Sequence, residues 1–243
     1  MQTSIIPWFL TVGFVMVHHP IEPLDFEANE QAINRANLRE VEAEVANRSD
    51  RLATRIQHFS DQFGIPPEDF WRDLDANPTG PLAATLAKEA RRQNIHEVAA
   101  ADYVCRLPHV QRFQKLKSTG REALYVTGDG QIATGAALGN APRPSKSIDF
   151  QWLTGGVTCY AAQKYTREGG GNQDNQFIEL ETLLRNFLPR RNNGVALFIL
   201  VDGPYYTAAR LAQLRGLVRQ QTPFSYVTSV NELMPILQGI AGH

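Results

Sequence analysis

Two charged residues, Asp149 in KSIDFQWL and Lys164 in VTCYAAQKYT, stand inside runs that otherwise read as buried strands. Charged side chains are rarely fully buried unless they are paired or ligate something. A carboxylate there could hold Mg2+, a hard cation that takes oxygen ligands and keeps several of its waters. A lysine beside it could orient or deprotonate one of those waters while the cation stabilises charge on a scissile phosphate. These are the parts that phosphodiester hydrolysis needs. The plainer alternative is a solvent-facing edge for both residues. If the two runs are antiparallel strands joined at Gly155 and Gly156, Asp149 reaches Lys164 only through an offset or strongly bent pairing. β-Bulges next to active sites produce such bends.

The rest of the chain supplies elements to hold this pair. Between Asp25 and Phe59, residues Ile33, Ala36, Val41, Val45, Leu52, Ile56 and Phe59 recur at helical steps, as one long amphipathic helix or two. GIPPEDFWRDL stops one helix and starts another, and an alanine-rich helical run extends from Leu82 to about Cys105. From Leu124, ALYVTGDGQIATGAAL is a hairpin signal around Gly128, Asp129 and Gly130. Beyond the Lys164 run, DNQFIELETLLRNFL predicts a helix with Asp174 or Asn175 as its N-cap and Pro189 past its end. GVALFILVDG is continuously apolar, the mark of a strand covered on both faces. A helix from about Tyr206 to Arg219, a strand FSYVT and a helix from Asn231 to Leu237 complete the order. This order predicts an α/β fold with a mixed central sheet flanked by helices over residues 122–243, preceded by a helical N-terminal region over 1–121.

Composition narrows the field. With 243 residues, 43% of them hydrophobic, the chain can bury the core of one large α/β domain or of a core with a helical appendage. A net charge of −1 argues against passive coating of DNA, yet leaves room for a cleft where local basic clusters meet phosphates. Arg112, Lys115, Lys117 and Arg121 form one such cluster and Arg190 with Arg191 another; the alternative for each is a solvated face. Cys105 and Cys159 are too few for a disulfide framework and show no C-x-x-C spacing, which fits a reducing cytoplasm. The histidines lack zinc-site spacing, and no P-loop, G-x-S-x-G, H-E-x-x-H or strand-borne G-x-G-x-x-G occurs. The apolar run from Ile5 to Val17 is too short to span a bilayer, is broken by Pro7 and lacks the positive opening of a secretory signal, so no membrane partner is expected. Met16 is an alternative start, in which case residues 1–15 would not be native.

Asp149 on one strand, Lys164 near the end of the next, a long helix and then a central apolar strand resemble the core of the PD-(D/E)XK nucleases. More narrowly, PSKSIDFQW, KYTREGGGNQDNQ and LFILVDGPYY look like type II restriction endonucleases, over roughly residues 122–239. The resemblance implies a restriction-endonuclease-like core that cuts double-stranded DNA at specific sites with Mg2+, as part of restriction-modification. It implies a homodimer as well, since palindromic sites are cut by paired active sites. Asp149 would bind the metal and Lys164 would position the attacking water. The family's acidic residue two positions before the lysine is Ala162 here. Some members draw that carboxylate from the following helix, where Glu179 is the candidate and Glu181 its rival. Phe177, Leu180, Leu184 and Leu188 mark that helix's inward face, and periodicity alone leaves the direction of Glu179 open.

Four amides, Asn172, Gln173, Asn175 and Gln176, could contact DNA phosphates or adenine edges. A helix-capping loop is their alternative role. Gln163 is expected to face away from Lys164 as a surface or hydrogen-bonded glutamine, and Asp129 and Asp202 to be turn residues. Two other functions stay open: a repair or structure-specific nuclease on the same core, and a catalytically inactive DNA-binding module, for which Ala162 is the best support.

Overall fold

The computed structural model describes residues 21–87, 94–142, 144, 146–188, 194–218 and 224–242. The apolar run 5–17, Met16, Arg190 and Arg191 lie outside them. The chain opens with α1 (Phe26–Ala46), whose first turn is capped by the Asp25 carboxylate accepting the N–H groups of Glu27 and Ala28. A break at 47–49 separates it from α2 (Asp50–Phe63), which starts where Ser49 Oγ accepts the Leu52 N–H and stops at Gly64 in the left-handed conformation. The helical periodicity between Asp25 and Phe59 therefore belongs to two helices. α3 (Pro67–Ala76) begins with proline in its first turn, as Pro66 and Pro67 predict. α4 (Pro81–Ala87) and α5 (Ile95–Val104) take up the alanine-rich run.

Five strands form the main sheet: β1 (Gln111–Lys115), β4 (Phe150–Thr154), β5 (Val157–Tyr165), β6 (Val195–Asp202) and β7 (Ser225–Thr228), side by side in the order β1-β4-β5-β6-β7. The first three are antiparallel and the last three parallel, with α6 (Gly171–Asn186) crossing from β5 to β6 and α7 (Ala208–Leu217) from β6 to β7. α8 (Leu233–Ala241) follows. The fold is thus the α/β arrangement that the order of elements predicts, a mixed sheet flanked by helices. The hairpin after Leu124 is also present, β2 (Leu124–Val126) with β3 (Ile132–Thr134), as a small sheet of its own.

β1 was not predicted. QRFQK carries one half-buried phenylalanine among exposed polar residues, so neither alternation nor an apolar run betrays it. It pairs with β4, with an irregularity between Gln111 and Gln114 and Arg112 at φ 51°. The sheet accordingly begins before residue 122, and Arg112 and Lys115 of the basic cluster lie on its edge strand.

The two faces of the sheet bury separate cores. Phe150, Trp152, Cys159, Ala161, Phe198 and Leu200 face α5, α8 and the start of α1, where Phe26 is buried. On the other face Ala162, Leu197, Ile199 and Val201 meet Phe177, Leu180 and Leu184 from α6, Phe187 just past its end and Leu214 from α7. Phe198 is fully buried and stands 5.1 Å from Trp152 and 4.8 Å from Tyr226, ring centre to ring centre. Burying such a side chain contributes roughly 1.5–3 kcal/mol. A third cluster, Val41, Val45, Leu52, Ile56, Phe70, Leu74, Ala83 and Leu86, joins the far half of α1 to α2, α3 and α4. Packing therefore divides the N-terminal region internally: α5 and the start of α1 belong to the sheet.

Candidate active site

Asp149 stands immediately ahead of β4, and Phe150 is in register with Ala161. In an antiparallel pair the start of one strand meets the end of its neighbour, which brings Asp149 to the Lys164 end of β5. No offset is required. The β4–β5 register runs unbroken from Phe150↔Ala161 to Thr154↔Val157, and the irregular pairing lies between β1 and β4 instead. The expectation of a bent pairing fails because Asp149 precedes its strand and does not sit late within it. Its backbone is held on both sides, donating to Ala161 O at 2.8 Å and accepting from Leu116 N at 2.8 Å.

The β2–β3 hairpin fixes the approach to Asp149. Ser147 bridges to Tyr125, and Ile148 donates to Leu124 O at 2.8 Å. The hairpin is in turn packed against the end of α6, where Leu188 N donates to Gly130 O at 3.2 Å. Gly130 has φ 87°, and a Cβ there would overlap the Leu188 side chain, so glycine is needed for both reasons.

The Asp149 side chain is 2% exposed, which overturns the solvent-edge alternative for it. Its two oxygens accept from Lys146 Nζ at 2.8 and 2.6 Å, and Oδ2 also accepts the Gln163 N–H at 2.7 Å. Lys164 is half-buried, with its pKa lowered from the ordinary lysine value. Burial is the chief cause and the Lys146 ammonium the second; the carboxylates of Asp149, Glu179 and Glu97 act against them. Lys164 therefore shares one electrostatic neighbourhood with Lys146, Asp149 and Glu179. Glu97, reaching over from α5, is paired with Lys115 at 3.0 Å.

α6 begins at Gly171, three residues before the expected N-cap Asp174, and no side chain caps it. Asp174 instead accepts from Tyr205 Oη at 2.6 Å and Arg210 at 3.3 Å, tying α6 to the turn before α7. Further along, Glu179 lines a small cavity together with Lys146, Val126, Thr182, Leu183 and Asn186. Glu181 points elsewhere: it accepts from Gln213 Nε2 on α7 at 2.9 Å and lies 3.8 Å from Arg185. Of the two glutamates, Glu179 is the one on the Asp149 side. Asn172, Asn175 and Gln176 fall at helical three- and four-residue steps from Glu179 and continue its face toward the N-terminus of α6. Gln173 belongs to the neighbouring stripe, with its Oε1 close to Gly170.

Ala162 is fully buried against α6, so no carboxylate stands at that position. Among the described residues no group of three or more His, Cys, Asp or Glu side chains is arranged to hold a metal. Mg2+ is nonetheless commonly bound through one or two carboxylates plus waters and substrate phosphates, and Asp149 and Glu179 are the residues here that could serve as such donors.

Lys146 is the functional candidate that the sequence reading passed over. It was visible in PSKSIDFQW, three residues before Asp149, but a lysine in a loop carries no signal of burial. Gln163 points to the face opposite Lys164, as strand alternation requires, yet it is buried and its Nε2 has no hydrogen-bond partner. Asp202 is not a plain turn residue. It is 8% exposed, its oxygens accept the Val230 N–H at 3.2 and 3.3 Å, and burial pushes its carboxyl up to about 7. The cysteines are free, Cys105 exposed and Cys159 buried, and burial pushes the Cys159 thiol up to about 12. No described helix is long and apolar enough to cross a membrane.

No known family model matches the chain, and no curated protein does. A crystal structure of protein VC1899 from Vibrio cholerae is similar at a TM-score of 0.33 and 13% identity, over 89% of this chain and 55% of that one. The chain thus spans about half the length of that protein.

Proposed function

We propose that this chain is a metal-dependent endodeoxyribonuclease whose active site is built on Asp149, Lys164 and Glu179. The observation that carries the reading is the meeting, by strand register, of a buried carboxylate with a lysine of lowered pKa at one sheet end, with Glu179 on the adjoining helix face. Asp149 and Glu179 are the residues to hold Mg2+, which when bound supplies Lewis-acid stabilisation of charge on a phosphate. Lys164 does the proton work. Partial burial and the neighbouring ammonium favour its neutral form, so it can orient a water or accept its proton nearer to neutral pH than a free lysine could. Asn172, Asn175 and Gln176 extend the Glu179 face and are placed to hydrogen-bond the backbone or base edges of a duplex lying along α6. Site-specific cutting of both strands by a homodimer, as in type II restriction, is the form of the activity that the resemblance in sequence favours.

The test is incubation of the purified protein with unmethylated phage DNA, in Mg2+ and in EDTA, followed by electrophoresis and end sequencing. Discrete Mg2+-dependent fragments support restriction. A smear favours a repair or non-specific nuclease on the same core. Intact DNA that is nevertheless bound favours an inactive DNA-binding module, the second reading, which rests on buried Ala162 in place of a carboxylate.

A further inference from the structure

Among the described residues the Lys146–Asp149 ion pair is well buried: the Lys146 side chain is 10% exposed and that of Asp149 2%, with Nζ within hydrogen-bond distance of both carboxylate oxygens. Oδ2 also takes the Gln163 N–H. One ammonium and one amide thus already use the carboxylate on both oxygens. The same lysine lines the small cavity that Glu179 lines from α6, so Lys146 is common to the surroundings of both carboxylates. A divalent cation shared by Asp149 and Glu179 would have to compete with that lysine for the Asp149 oxygens.

Resting on the metal-site reading above, we propose that Lys146 is a built-in counter-ion occupying the cation's place, and that a divalent cation binds at Asp149 only as Lys146 withdraws. The two partners are unequally fixed. Asp149 is pinned through its own N–H and carbonyl, and the two residues before it are tied to the hairpin at Tyr125 and Leu124. Lys146 emerges from the loop ahead of those ties on a flexible four-carbon stem, so the lysine is the part that can move. The backbone of Lys164, by contrast, is fixed in a strand paired with β6 at Val201.

The exchange is electrostatically sensible in both directions. Without metal, the ammonium spares Asp149 the cost of an uncompensated buried charge. With metal, the freed ammonium stays near the site, where a DNA phosphate would receive it. Lys146 is accordingly a positioning residue that sets cation affinity, and its removal should make cation binding tighter while making the cation-free protein less stable.

The experiment titrates the full chain, without DNA, with Mn2+ and with Mg2+ by calorimetry and by thermal melting. It compares wild type, Lys146→Met, Lys146→Gln and Asp149→Asn. Lys146→Gln keeps a hydrogen-bond donor for the carboxylate but no charge, and serves if the methionine variant folds poorly. Both Lys146 variants are expected to bind Mn2+ on the order of tenfold more tightly than wild type. Without metal they should melt below wild type, and metal should raise their melting temperature by more. Wild-type binding with equal or weaker binding by the Lys146 variants overturns the inference and leaves the metal site standing. Binding by none of the proteins, or undiminished binding by Asp149→Asn, overturns the metal site and the inference with it.

Discussion

Replacing Asp202 by Asn removes a titration that the fold works against. The carboxyl is shifted from 3.8 to about 7, first by burial, with Glu232 adding to the shift and the Val230 N–H opposing it. A folded-state pKa above the unfolded one contributes stability that is whole below the unfolded value. It is lost as pH rises through the folded value, here between about 4 and about 7. At about 1.4 kcal/mol per pH unit, the difference between the two limits is on the order of 4 kcal/mol. Asn offers the Val230 N–H an amide carbonyl oxygen in place of the carboxyl oxygen and never ionises. Asp202→Asn should therefore match wild type near the acid limit and exceed its stability at neutral and alkaline pH, by up to that amount. Urea unfolding followed by tryptophan fluorescence, run on both proteins from about pH 4 to about pH 8, measures this; subtracting one curve from the other cancels every other titrating group. Two curves that stay parallel across the window would refute the reasoning, and so would a variant less stable at alkaline pH.

Lys164→Met should leave the melting temperature near that of wild type while reducing DNA cleavage by roughly 10²- to 10⁴-fold, the usual worth of a general base. The wild-type rate should rise with pH along a limb lying below the ordinary lysine range, because deprotonation makes the active form and the pKa is lowered. Glu179→Gln should abolish cleavage and Glu181→Gln should not, since Glu181 is engaged with Gln213; a plasmid-nicking assay on the two variants decides between them. Gly130→Ala should destabilise the fold by roughly 1–3 kcal/mol in urea unfolding, from a strained backbone and overlap with Leu188.

Much of the sheet was legible because burial writes itself into sequence. VALFILV is apolar throughout since both of its faces are covered, and the glycines at 155 and 156 mark the turn between β4 and β5, with φ of 54° and 84°. β1 left no such trace: an edge strand needs few apolar residues, and the polar character of QRFQK protects its open side. How Asp149 reaches the Lys164 end of β5 was misjudged, because Asp149 is placed ahead of its strand by donating to Ala161 O and accepting from Leu116 N, both distant in sequence. The choice between Glu179 and Glu181 was illegible for a related reason. Two residues along a helix turn about 200°, and which side faces the sheet depends on the partner helix that captures Glu181. Lys146 and Asp202 show the same limit. Their surroundings are assembled by tertiary contacts, Lys146 by the folding back of a loop and Asp202 by the approach of Val230.

α1 belongs to two cores at once. Its 21 residues make a rod about 31 Å long. Phe26 at one end rests on Tyr165, the residue after Lys164, with ring centres 4.8 Å apart, while Val41 and Val45 are sealed among α2, α3 and α4. Loss of the whole helix would therefore strip a wall from both cores. The helical cluster and the sheet thereby share one helix, and the strand that carries Lys164 touches, through Tyr165 and Phe26, the same rod that walls the bundle.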